Sequence, residues 1–304
     1  MMHSIGIDIG GTKIAGGIVG SDPTKVLERS TLPTPSADVM DQVLTCLSEL
    51  LDATSAPISS IGIGAPGVID PSSGTVLSAG PTMPHWAGTD IRTAINREYP
   101  GISVAVHNDV RVMGLGEALF GAGRDYGSAL FLSLGTGVGG AIVRDGKLQA
   151  SPHHTAGELR CLVGKLPNGQ AGTIESFAAG PGLARAYCER SGEERLDLRA
   201  IMRRYHEGEA RAHALIDEHM EALGESISGF VAAIDVEVLV VGGGVGNIGA
   251  PIIEPLTCGF RRGGIAPANR IPVLQAHLGT DAPIIGAAAL GRTVEHCEGT
   301  PHAS

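Results

Sequence analysis

An α/β fold made of two similar domains is what this sequence predicts, on three observations. Short, almost uninterrupted apolar runs bounded by glycine-rich turns read as strands buried on both faces. Longer segments between them carry apolar residues three and four apart, the helical period. One strand–turn–strand pattern also occurs twice, as Ile7-x-Ile9-Gly10-Gly11-Thr12 and, far downstream, as Leu132-x-Leu134-Gly135-Thr136-Gly137. A chain of 304 residues is long enough to bury two cores.

The elements follow in order. Ser4–Ile9 and Ile14–Val19 read as strands joined by the turn after Asp8. Glycine there permits a tight turn whose N–H groups press against an anion. Asp8, Thr12 and Lys13 add an acid, a hydroxyl and an amine, the parts of a phosphate–Mg²⁺ site. The same residues also suit an ordinary glycine hairpin with a solvated lysine. Residues 37–51 place Met40, Val43, Leu44, Leu47, Leu50 and Leu51 on one helical stripe. A strand at Ser60–Gly64 breaks at Ala65-Pro66-Gly67, and another at Val104–Val106 ends at His107-Asn108-Asp109, before a helix over 110–120. Ala129–Leu134 and Ala141–Val143 form the second hairpin. A long helix over 208–234 leads to a strand at Val236–Val241 and then Gly242–Gly246; an apolar helix starts near Pro283.

Composition excludes several classes. A net charge of −10 with no Lys/Arg-rich run argues against a nucleic-acid partner, although a local glycine nest still binds phosphate in an acidic protein. Cys46, Cys161, Cys188, Cys258 and Cys297 are odd in number and dispersed, which argues against a disulfide framework and for a reducing cytoplasm. The N-terminus enters the first strand directly, leaving no room for a signal peptide. Apolar runs such as Val238–Val241 are too short to span a bilayer, so no membrane partner is expected. Two segments match the loose dinucleotide pattern, Gly135-x-Gly137-x-x-Gly140 and Gly244-x-Gly246-x-x-Gly249. The first runs into a strand instead of a helix, and the second lacks an acid-bearing second strand.

Taken in order, Asp8–Lys13, Ala65–Gly67, Leu134–Gly140, Val238–Gly246 and Asp281–Leu290 resemble the actin/hexokinase/Hsp70 superfamily, and within it the ROK family of bacterial sugar kinases. The resemblance implies two actin-like (ribonuclease H-like) α/β domains with a central cleft. It divides the chain into a small domain, residues 1–110 with a C-terminal helix over 284–304, and a large one, residues 111–283. It also implies ATP phosphates at Gly10, Gly11, Thr12, Lys13, Gly135, Thr136 and Gly137, adenosine at Gly243 and Gly244, and Mg²⁺ placed by Asp8 through water. Asp109 becomes the base that accepts a sugar proton. Gly67, Asn108, Asp109, Glu158 and Glu175 become sugar contacts, and sugar binding would close the domains. Thr82 stands where many members carry a sugar-binding Asn. Read from the residues alone, Asn108-Asp109 also suits a strand end that caps the next helix.

The departure from the family pattern concerns zinc. Members usually carry Gly-His after the Glu and then a Cys-x-Cys-Gly-x-x-Gly-Cys segment. This chain reads Glu158-Leu159-Arg160-Cys161, with none of those cysteines before Glu175. Zinc needs about four such ligands, so no zinc site is expected. His153 and His154 read as surface or substrate-contacting residues. The expectation is an ATP- and Mg²⁺-dependent kinase acting on the 6-hydroxyl of a hexose or N-acylhexosamine, with glucose and N-acetylmannosamine leading and a homodimer implied. The alternative is a non-catalytic sugar-sensing or regulatory protein without a DNA-binding domain.

Overall fold

The computed structural model describes residues 2–80 and 83–298, the last five by backbone alone. Two compact units emerge. The first holds the chain up to Gly121 together with Lys147–Ala156 and the segment from Thr280; the second holds Ala122–Gly146 and Gly157–Gly279.

The first unit is built on β1 (His3–Ile9), β2 (Lys13–Val19), β3 (Val26–Pro33), β4 (Ile58–Ala65) and β5 (Ser103–Asn108), ordered β3-β2-β1-β4-β5. β2 runs antiparallel to β1 and β3, while β4 lies parallel to β1 and β5 parallel to β4. β1 and β2 are apolar on both faces because both faces are covered. Ile7 and Gly16 meet Cys46 and Leu50 of α1 (Val39–Asp52), whereas Gly17 meets Ile284 from the Ala282–Glu298 helix. That helix lies at backbone contact with the sheet. A Cβ on Gly62 would fall 1.6 Å from the Ala287 carbonyl oxygen, so only glycine lets it dock so closely. It also packs against α2 (Asp109–Phe120), which starts where β5 ends.

The second unit repeats the plan. β6 (Ser128–Leu134) and β7 (Val138–Arg144) form an antiparallel hairpin, followed by parallel β8 (Val238–Gly242) and β9 (Val273–Gln275), ordered β7-β6-β8-β9. Its core joins Leu130, Leu132, Phe177, Tyr187, Leu223 and Phe260. α3 (Leu198–His206) is capped by the Asp197 carboxylate, which accepts from Ala200 N–H at 2.8 Å. α4 (Ala210–Ile234) packs along α5 (Ala250–Arg262).

The fold is the α/β class expected. Not anticipated were β3, whose only buried residue is the polar Ser30, and the helices Gly180–Ser191 and Ala250–Arg262, each with a proline in its first turn, where its missing N–H costs nothing.

Candidate active site

In the first unit the parallel strands end in one row. Asp8 pairs with Gly64, and Gly64 with His107, so the carboxyl ends of β1, β4 and β5 lie level. Gly64 lets the start of α2 press on the middle of that row: a Cβ there would lie 2.6 Å from Val112 Cγ2 and 3.4 Å from Cα of Asp109. Asp8 and Asp109 lie at these ends, close enough for one charge to act on the other, and strand ends are the usual ligand position in open α/β sheets. Burial and then the Asp109 charge push the Asp8 carboxyl up to about 7, with Lys13 acting in the opposite direction.

The turn beyond Asp8 is clasped at both ends. Gly10 N–H donates to the Lys13 carbonyl at 2.9 Å. Thr34 donates its backbone N–H to the Thr12 carbonyl at 3.0 Å and its hydroxyl to the Gly10 carbonyl at 2.6 Å. Gly11, Thr12 and Lys13 stay exposed at the tip. Nothing in the sequence pointed to Thr34; the Lys13–Pro33 register of β2 and β3 brings it there.

Asn108 both caps α2 and holds Asp109. Its Oδ1 accepts from Arg111 N–H at 3.2 Å, capping α2. Its Nδ2 donates to the Gly67 carbonyl at 3.0 Å and to Asp109 Oδ1 at 2.8 Å. Asp109 Oδ1 also accepts from Val110 N–H at 2.9 Å, which fixes the carboxylate's direction. Burial, aided by Arg111, lowers His107 to about 4 and keeps it neutral, and its Nδ1 accepts the Asn108 N–H at 2.8 Å. Trp86 Nε1 donates to the Pro66 carbonyl at 3.1 Å. Thr82 lies outside the described residues.

In the second unit the matching turn is held differently. Gly135 N–H donates to the Gly137 carbonyl at 2.9 Å, and Gly180 N–H donates to the Gly135 carbonyl at 2.8 Å. Glu175 Oε2 accepts from Val138 N–H at 3.0 Å, so this carboxylate braces the hairpin. Gly243 takes φ +81°, and a Cβ there would lie 2.4 Å from the Leu134 carbonyl oxygen; this lets the β8 turn press on the hairpin. A cavity of about 1140 Å³ opens beside them, lined by Gly135, Thr136, Gly180, Gly244, Val245 and the Leu198 and Met202 side of α3. The structure thus joins Gly135, Thr136 and Gly244 in one wall. The sequence missed the α3 wall, whose signal was Asp197 as a cap ahead of the amphipathic Leu198–His206 segment.

Glu158 forms an ion pair with Arg160 at 3.2 Å, ahead of the exposed Cys161. Where the family's cysteine segment would run, Val163–Lys165 pairs antiparallel with Ala171–Thr173. Among the described residues no three His, Cys, Asp or Glu side chains gather as a metal-binding group. Among them, too, no helix is long and apolar enough to cross a membrane.

The ROK family model matches residues 4–294. The chain belongs to the ROK family. Its fold superposes on the ROK hexokinase of Thermus thermophilus with a TM-score of 0.82 at 30% identity, covering 98% of this chain and 100% of that one. The ROK glucokinase of Streptomyces griseus, solved with glucose and AMPPNP, matches with a TM-score of 0.80 at 28% identity over 96% and 99% of the two chains. The N-acetyl-D-glucosamine kinase of Vibrio parahaemolyticus is 29% identical over 94% of this chain and 98% of its own.

Proposed function

We propose that this ROK protein transfers the γ-phosphate of ATP to the 6-hydroxyl of a hexose or N-acylhexosamine, with Asp109 as the base. That it is an ATP-dependent carbohydrate kinase follows from its family and from the kinases it resembles. Glucose, N-acetylglucosamine and N-acetylmannosamine are the acceptors to test first. The observation that carries the assignment is the fixed Asp109 carboxylate at the end of β5, near Asp8 at the end of β1.

Each unit contributes separately. In the first, Asn108 and Val110 aim Asp109, which accepts the proton of the attacking hydroxyl as the phosphoryl group transfers. Gly10, Gly11, Thr12 and Lys13 offer amides, a hydroxyl and an amine to phosphate oxygens. In the second, Gly135, Thr136 and Gly137 offer the same kind of turn, and the cavity beside Gly244 takes the nucleoside against Val245, Leu198 and Met202. Gly243 shapes that turn. Glu158 and Gly67 are sugar contacts by their place in the sequence. Asn108 and Glu175, engaged in scaffolding bonds, act on substrate through the carboxylate and the turn they hold.

Mg²⁺ suits Asp8. Burial first and then the Asp109 charge raise its carboxyl to about 7, and a cation there would offset the second of these. When bound, the ion neutralises phosphate charge, and Asp8 holds it through water. Asp109→Asn is expected to lower kcat by about 10²–10⁴-fold while sugar binding by calorimetry persists. Full turnover in that variant would remove Asp109 as the base.

A further inference from the structure

One cavity of the first unit has no part in the chemistry so far. It measures about 540 Å³, and its lining includes Gly11, Thr34, Met40, Met83, His85 and Trp86. Two of these tie it to the reacting ends. Gly11 belongs to the phosphate turn that Thr34 clasps. Trp86 is bonded to the Pro66 carbonyl, next to Gly67, whose own carbonyl holds Asn108 beside Asp109. The cavity therefore borders the turn offered to phosphate, and Trp86 ties its wall to the loop that aims the base.

Its chemistry is not that of a hydroxyl-only pocket. Met40, Met83 and Pro35 give it an apolar wall, and thioethers adapt to irregular aliphatic groups. His85 and Asp38, both on the lining, hold left-handed backbones at φ 67° and φ 56° although neither is glycine. Such strain persists at ligand clamps. A hexose offers that wall little, whereas an acyl arm on the sugar nitrogen offers methyl and methylene groups.

We propose that this cavity receives the N-acyl arm of the acceptor sugar, so that the enzyme prefers N-acylhexosamines and gains from arms longer than acetyl. The inference rests on the sugar-kinase reading above. The test is kcat/KM for glucose and for the N-acetyl, N-propanoyl and N-butanoyl derivatives of glucosamine and mannosamine. The expected result is that the better N-acetyl sugar exceeds glucose, with a rise of about fourfold per added methylene, at ~0.8 kcal/mol per buried CH₂. Ala37→Phe, which fills the cavity at its exposed rim, is expected to bring the butanoyl-to-acetyl ratio to one or below. That ratio is taken within each protein, so a general loss of folded enzyme does not move it. Equal values along the acyl series, glucose exceeding every N-acyl sugar, or a ratio unchanged in Ala37→Phe would each overturn the proposal while leaving the kinase reading intact. Turnover of none of these sugars would overturn both.

Discussion

Asp8 carries a cost that its neighbours reveal. Burial and Asp109 raise its pKa to about 7 in the folded chain, against 3.8 as the reference value. Folding therefore favours the protonated acid. The stability this gives is complete below about pH 4 and is lost as pH rises to about 7. Asp8→Asn should flatten the stability–pH curve across that window and raise the melting temperature at pH 8 while impairing Mg-ATP use; an unchanged curve would show that Asp8 is not desolvated. Thr34→Val removes the hydroxyl that clasps the Gly10–Lys13 turn and, on the proposed phosphate role of that turn, should lower kcat/KM for ATP about fivefold, a hydrogen bond's worth, with the KM for sugar unmoved and Thr34→Ser restoring the loss. Equal loss on both substrates would make Thr34 merely structural. Asp8 was legible because an acid before a glycine turn at a strand end is a local pattern, and Asp109 because Asn-Asp at a strand end is another. Thr34 and the bracing role of Glu175 were not, because each depends on which distant backbone group the fold brings to it.

Among the elements, the Ala282–Glu298 helix shows how glycine sets a docking distance. Gly6, Gly62 and Gly286 all face a backbone oxygen closer than a Cβ tolerates. Gly62→Ala should destabilise the first unit by about 1–3 kcal/mol or more in a denaturant titration, since the helix must move off β4. Wild-type stability there would mean that the helix is not so tightly seated. The apolar strands and the long α4 could be read directly, their periods being strong. β3 could not, because an exposed edge strand has no apolar run. The Val163–Lys165 hairpin is closed by a backbone ladder, in a segment where the sequence showed only missing cysteines.

For the whole molecule, the decisive signal was order. No single glycine turn distinguished a kinase from an ordinary hairpin, but a repeated strand–turn–strand, an Asn-Asp strand end and a glycine turn after a buried strand did so together. The two sheets bear this out, with the β2-β1-β4-β5 order of the first unit reproduced as β7-β6-β8-β9 in the second. Acceptor identity was not legible, since it depends on the shape of a cavity and not on a motif. The most direct test of the account is sugar-dependent ADP release from Mg-ATP across glucose, mannose, N-acetylglucosamine and N-acetylmannosamine, in wild type and Asp109→Asn. Turnover of at least one sugar by the wild type and its near-abolition in the variant is the predicted result; no sugar-dependent release, or equal release by both proteins, would contradict it.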